Sequence, residues 1–297
     1  LGTSRNKPHK MPGPDGRKVD MTHKCVETYE KLGLDTLVCI GGDGTARNAL
    51  KLKEAGLKVI TLPKTIDNDI AETDTTFGYN SAMTIATEAI DRLHTTASSH
   101  QRIILVDVMG HNAGWLALGA SLASGVDVCL IPEIPYHIDR ISDEIDQRRK
   151  KGRRFSLMAV AEGAHPAGGK TPAEIKALRE RERKLMRSNI PYLENITPSV
   201  RLAPQFERAL KMETRVVTLG HIQRGGVPSP TDRILATELG ITAAALIADG
   251  VSGVMVAVKG DQFVPVPLEK VAGRKKLVPL DHKLIQTARL IGLCLGD

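Results

Sequence analysis

Aromatic residues are scarce: they make up 3% of the 297 positions, with a single tryptophan, Trp115. Binders of single-stranded nucleic acid stack bases on aromatic rings, so this scarcity argues against that class. The formal net charge of +7 does not reverse the argument. Part of the basic excess lies in Lys176–Arg187, where Glu180 and Glu182 are interleaved as on a solvated helix face. An anionic small molecule is the better match to the charge. Cysteines number four, at positions 25, 39, 129 and 294, without a CxxC pair or metal-ligand spacing. This excludes a disulfide scaffold and reads as reduced thiols in a cytoplasmic protein. No apolar run approaches the roughly 18 residues of a membrane span, and no signal peptide is visible. Neither nucleic acid nor membrane is therefore expected as a partner. The chain opens on Leu1 rather than Met, in mid-motif, and reads as lacking an N-terminal piece.

What is present is ordinary for a globular protein: 41% hydrophobic and 25% charged residues, enough for one large or two medium domains. Short β-branched runs alternate with amphipathic stretches of helix length. Strands are expected at 34–40, 57–62, 103–108, 126–131, 155–161, 215–219 and 253–258, the last one clear to the eye. Helices are expected at 45–55, 77–97, 113–123, 142–150 and 231–248. The proline- and charge-rich stretch from His165 to Met212 reads as an elaboration outside the fold. This rhythm predicts an α/β fold with open, mainly parallel sheets covered by helices on both faces, and ligands beyond the carboxyl ends of strands.

Chemistry concentrates in a few short segments. Gly41-Gly42-Asp43-Gly44-Thr45 follows a strand and opens a helix. Glycines let a polyphosphate approach the backbone, and the helix N-terminus offers N–H groups and positive potential. Asp43 is placed to reach a Mg²⁺ riding on that polyphosphate. Next comes Pro63-Lys64-Thr65-Ile66-Asp67-Asn68-Asp69. On an extended segment its carboxylates at 67 and 69 point the same way, with the Lys64 cation beside them. Base, metal ligand and cation together meet the needs of phosphoryl transfer to an alcohol. Then follow Ser98-Ser99-His100-Gln101-Arg102, Met109-Gly110-His111, Glu162-Gly163, and Arg215 with Gly220-His221-Ile222-Gln223-Arg224-Gly225-Gly226. Arg and His beside glycines suit a phosphomonoester.

In this order, GGDGT, PKTIDND, SSHQR, the Met-Gly turn, AEG and GHIQRGG resemble the 6-phosphofructokinase family over essentially the whole chain. GGDGT is shared with NAD and lipid kinases, whereas PKTIDND with GHIQRGG is specific. The resemblance implies two three-layer α/β/α domains with the active site in the cleft between them. It implies a donor-binding domain at 1–78 plus 223–273 and a fructose 6-phosphate domain at 79–222 plus 274–297. It implies Mg²⁺-dependent transfer from ATP to the 1-hydroxyl of fructose 6-phosphate. A pyrophosphate-dependent enzyme and a non-catalytic or truncated relative are the alternatives.

The resemblance also implies roles. Asp67 is the base, flanked by Lys64 and Thr65, with Thr65 and Asp67 facing the sugar. Asp43 and Asp69 hold Mg²⁺. Gly42, Asp43, Gly44 and Thr45 cradle the donor, with Arg5 contacting it. Met109, Gly110, His111 and Glu162 meet the sugar, and Arg215, His221 and Arg224 its phosphate. Arg102 reaches a neighbouring subunit's site, so a homodimer or homotetramer is expected. Three features depart from, or sit between, the family patterns. The family's first strand and Gly-rich donor loop would precede Leu1, and His111 stands where the family usually carries Arg. Gly44 with Lys64 mixes the patterns of ATP-dependent and pyrophosphate-dependent members. An Asp at 44 would crowd the α-phosphate of ATP, so Gly44 favours ATP, while Lys64 suits either donor.

Overall fold

The computed structural model describes residues 6–13, 15–169 and 197–297. Its chain divides into two compact units. One comprises Leu1–Thr65, Asp69–Gly78 and Pro230–Lys276; the other comprises Ile66–Asn68, Tyr79–Ser229 and Leu277–Asp297.

The first unit begins with a small antiparallel pair, β1 (Met11–Pro12) and β2 (Lys18–Val19), and helix α1 (Thr22–Lys31). Its sheet comprises β3 (Leu37–Gly41), β4 (Val59–Pro63), β9 (Val254–Lys259) and β10 (Gln262–Pro267), in the order β10-β9-β4-β3. β3, β4 and β9 are parallel, and β10 turns back antiparallel to β9. Side chains alternate across the sheet. Val59, Met255 and Ala257 pack against Ala46, Ala49 and Leu52 of α2 (Asp43–Glu54) and against α8 (Leu268–Val271). Ile60, Leu62, Val256 and Val258 pack on the opposite face, against Leu235, Leu239 and Ala243 of α7 (Pro230–Ala248).

The second unit holds an all-parallel sheet of β5 (Ile103–Val108), β6 (Val128–Leu130), β7 (Ser156–Ala161) and β8 (Thr214–Thr218), in the order β6-β7-β5-β8. One face meets α3 (Tyr79–His100) and α4 (Trp115–Ser124) through Ile104, Val106, Val108, Leu157 and Ala159. A Cβ on Gly119 would lie 2.7 Å from both Tyr79 Oη and Met83 Sδ, so glycine permits α4 to approach α3 closely. The other face meets α5 (Ile138–Lys150) and α6 (Pro198–Leu210). Helix α9 (Lys283–Leu290) contributes Ile285 and Ala288 to the first of these cores. Both units are therefore three-layered α/β/α.

Three expectations need correction. Helix α6 is not an external elaboration: Leu202 and Phe206 are fully buried beneath the second sheet. Pro198 suits its first turn, where the missing N–H costs nothing. The charged stretch Lys176–Arg187 lies outside the described residues. Strand β10 was not anticipated because Pro265 and Pro267 disrupt its pattern; proline is tolerated there because β10 is an edge strand. Finally, Asn68 adopts φ 50°, so residues 67–69 are not the extended run from which parallel carboxylates were inferred. The turn Gly220–Arg224 stays with the second unit, where its neighbour Gly226 abuts Ile85 of α3 and Ser81 Oγ accepts a hydrogen bond from Ser229 N.

Candidate active site

In the first unit, β3 ends at Gly41 and Gly42 caps α2 in an extended conformation. Gly41 is demanded by its neighbour: an added Cβ would fall 2.1 Å from Thr45 Oγ1. A Cβ on Gly44 would meet nothing within 4 Å, so space is open at the mouth of the helix. Asp43 is buried on the first turn of α2. Its Oδ2 pairs with Arg47 at 2.5 Å and its Oδ1 accepts from Gly273 N at 2.7 Å. Thr45 follows on the same turn. The parallel strand β4 ends alongside at Pro63, and Lys64 N donates to Gly41 O at 3.0 Å. The Lys64 side chain is exposed, and Thr65 O accepts from Thr76 Oγ1 at 2.8 Å. Asp69, 3% exposed, is ion-paired with Lys275. Arg5 lies outside the described residues.

In the second unit the expected sugar-side residues gather at the carboxyl ends of the sheet. A pocket of about 350 Å³ is lined by Met109, Glu162 and His221 together with Asp107, Thr197 and Thr218. Gly110 takes φ 140°, and a Cβ there would lie 2.6 Å from Ala113 O. His111 takes φ 54°, which turns its backbone N–H onto Glu162 Oε1 at 2.5 Å. Its Nδ1 lies 3.1 Å from the same oxygen. Burial pushes the Glu162 carboxyl up, but the His111 hydrogen bonds and charge outweigh it, leaving the group below its ordinary value. Buried Gln223 accepts from Met109 N and donates to Gly220 O, both at 3.2 Å, and so ties two loops of the pocket together. Asp67 is buried at 8% exposure in the turn before α3, while Arg224 is exposed at the end of the Gly220–Arg224 turn.

Arg102 and Arg215 are placed elsewhere. Arg102 precedes β5, and Arg215 is the second residue of the parallel strand β8. Both therefore sit at the amino end of the sheet: at about 3.3 Å per residue, Arg215, level with Ile104, lies about 17 Å along β5 from Met109, and Arg102 about 23 Å. Both are ion-paired with Glu213, Arg102 at 2.5 Å. Sequence reading did not single out Glu213, Gln223 or Asp107. Of these only Asp107 leaves a signal, as a lone charge in the apolar run Ile103–Val108.

The chain matches the family model for phosphofructokinase over residues 1–247. It belongs to the phosphofructokinase family. It is 50% identical to a protein of Propionibacterium freudenreichii subsp. shermanii named ATP-dependent 6-phosphofructokinase, covering 100% of this chain and 82% of that protein. A protein of the same name from Spirochaeta thermophila is 48% identical, with 100% and 80% covered. Among solved structures, Pichia pastoris phosphofructokinase in the T-state aligns with TM-score 0.70 and 27% identity, covering 91% of this chain and 28% of that one. A pyrophosphate-dependent phosphofructokinase from Marinobacter aquaeolei aligns with TM-score 0.71 over 95% of this chain and 70% of that one; at 21% identity this speaks for the fold alone.

The phosphofructokinase family implies Mg²⁺, and the donor set can be tested against it. Mg²⁺ takes one or two carboxylates and completes its octahedron with phosphate oxygens and water. Asp43 and Asp69 are two such buried carboxylates, each neutralised by one cation, Arg47 or Lys275. No three metal-ligating side chains cluster among the described residues. The set fits an ion that arrives with its polyphosphate, not a closed protein cage. No helix among the described residues is long and apolar enough to cross a membrane.

Proposed function

We propose that the chain catalyses phosphoryl transfer from ATP to the 1-hydroxyl of fructose 6-phosphate, giving fructose 1,6-bisphosphate. The observation that carries this reading is the 50% identity, over the whole chain, to a protein named ATP-dependent 6-phosphofructokinase. The first unit serves as the donor domain. The N-terminus of α2, with Gly42, Gly44 and Thr45, receives the ATP phosphates, and Arg5 adds a further contact. Asp43 and Asp69 hold Mg²⁺, which when bound neutralises polyphosphate charge. The second unit serves as the sugar domain. Met109, Gly110, His111 and Glu162 meet the sugar, while His221 and Arg224 take its phosphate. Asp67 accepts the proton of the attacking hydroxyl, with Thr65 orienting the sugar and Lys64 supplying a cation near the transferred group. His111 replaces a permanent cation by a titratable one. Arg102 and Arg215, drawn together by Glu213 away from the pocket, complete the phosphate site of a neighbouring subunit. The working molecule is then at least a homodimer, located in the cytoplasm.

Lys64, which belongs to the pattern of pyrophosphate-dependent members, suits either donor. The open space at Gly44 favours ATP, because steric exclusion is decisive where an added cation only helps. Assay of the protein with each donor, fructose 6-phosphate and Mg²⁺ tests the reading. Turnover is expected with ATP, and Gly44→Asp is expected to abolish it while sparing any pyrophosphate activity. Turnover with pyrophosphate alone would overturn the ATP assignment.

A further inference from the structure

Strand β5 is buried along its whole length, and five of its six residues are apolar. The exception is Asp107, 4% exposed. A buried carboxylate costs several kcal/mol unless its oxygens are satisfied, and an apolar residue would serve this strand's packing better. Asp107 is incompletely satisfied. Its Oδ2 accepts from Thr197 Oγ1 at 2.6 Å and from Thr218 Oγ1 at 3.0 Å, both neutral hydroxyls. Its Oδ1 is buried and accepts no hydrogen bond from the described residues. Stability alone does not account for such a residue, and a buried polar group left partly unsatisfied calls for another role.

The positions it joins are informative. Asp107 stands two residues before Met109. Thr218 ends β8 and leads directly into the turn carrying His221, Gln223 and Arg224, and Leu219 N also donates to Asp107 O at 3.4 Å. Thr197 caps the N-terminus of α6, where its Oγ1 also accepts from Val200 N. All three side chains line the pocket that holds Met109, Glu162 and His221. One carboxylate therefore fastens three separate segments of a single pocket wall. A charged acceptor holds a hydroxyl donor more firmly than a neutral one, so both threonine rotamers are fixed before a ligand arrives.

We propose that Asp107 is a positioning residue of the fructose 6-phosphate pocket, acting through Thr218 and Thr197 to hold the loop after β8 and the start of α6 against β5. This rests on the sugar-phosphate reading of that pocket. Fixing these segments in advance removes an ordering cost from sugar binding and leaves the donor side untouched.

Calorimetric titration of fructose 6-phosphate and, separately, of Mg·ATP tests it. Asp107→Asn and Thr218→Val are each expected to weaken fructose 6-phosphate binding about 10-fold, the scale of one hydrogen bond to a charged group. ATP affinity is expected to stay within about twofold of the parent, because the segments that Asp107 holds carry none of the residues assigned to the donor. The double variant is expected to be no weaker than the worse single one, because both changes break the same link. Thr218→Ser, which keeps the donor, should restore binding. If Asp107→Asn does not fold, Thr197→Val and Thr218→Val, each removing one donor to Asp107 Oδ2, carry the same expectation of weaker fructose 6-phosphate binding with unchanged ATP binding. Unchanged sugar affinity, fully additive losses, or equal losses for ATP would each overturn the proposal. If the unmutated protein binds ATP but not fructose 6-phosphate, the reading of the pocket fails and the positioning role falls with it.

Discussion

Asp67 combines burial with a place in the turn that leads into α3. A general base needs a fixed position, and Asn keeps the shape while removing proton acceptance. Asp67→Asn is expected to lower kcat by about 10²–10⁴-fold with little change in sugar affinity. Steady-state kinetics beside calorimetry decides the point, since near-normal turnover would remove Asp67 from that role. Glu162 offers a second measurement. Its folded carboxyl lies below the ordinary value because the His111 contacts outweigh burial. Such a group stabilises the fold fully above the unfolded carboxylate pKa, and the contribution is lost as pH falls through the folded value. His111→Ala keeps the backbone donor but leaves burial less opposed. The Glu162 titration followed by carbon-13 NMR should then move upward, with acid unfolding starting at a higher pH. An unmoved titration would show that the imidazole is not the source of the depression. At this scale the sequence announced placement where a residue sits in a motif, as with Asp43 on the first turn of α2 or His221 at the pocket. It was opaque where the role comes from long-range pairing. Gln223 lies inside a recognised motif, yet its bond to Met109 joins residues 114 positions apart.

Among the elements, α6 shows why pattern reading fails beside prolines and charges. Residues 198–210 carry Pro198, Pro204, Arg201, Glu207 and Arg208, which mask a spacing of Leu202, Phe206 and Leu210 at four-residue intervals. That spacing puts all three on one helical stripe, and the stripe faces Ile103, Leu105, Met158 and Val160. Phe206→Ala is expected to cost about 3–5 kcal/mol through lost burial and the cavity left behind. Chemical denaturation should show the loss as a lower midpoint. Val200→Ala, on the exposed side of the same helix, should move it little. Equal effects would place α6 outside the core after all. β5, by contrast, was legible to the residue, because a short, mostly β-branched run, interrupted only by Leu105 and Asp107, lies between Arg102 and the Met109-Gly110 turn. β10 was hidden by its edge prolines, and the carboxylate geometry at 67–69 by the left-handed Asn68, which no local pattern announces.

For the whole molecule the decisive question is which arginines serve which pocket. Within the second unit Met109, Glu162 and His221 share one pocket at the carboxyl ends of the strands, whereas Arg102 and Arg215 share Glu213 at the amino ends. A six-residue strand separates the two groups, so one chain does not bring all these cations to one phosphate. The proposed homodimer answers this: under closed two-fold symmetry each chain would lend its amino-end arginines to the partner's pocket and receive the same in return. Complementation follows from that geometry. Arg102→Ala and Asp67→Asn chains, each inactive alone, should form mixed pairs after unfolding and refolding together. In a mixed pair one site carries both changes and the other carries neither. Random pairing of equal amounts makes half of the dimers mixed, and so should restore about a quarter of the parent activity. Arg215→Ala should rescue Asp67→Asn in the same way. Arg102→Ala with Arg215→Ala should give no recovery, because each site of a mixed pair still receives one defective arginine from its partner. Arg224→Ala with Asp67→Asn should give none either, because both act in their own chain's pocket. Recovery in the Arg224 mixture, or none in the Arg102 mixture, would show that the assignment of arginines to subunits is reversed.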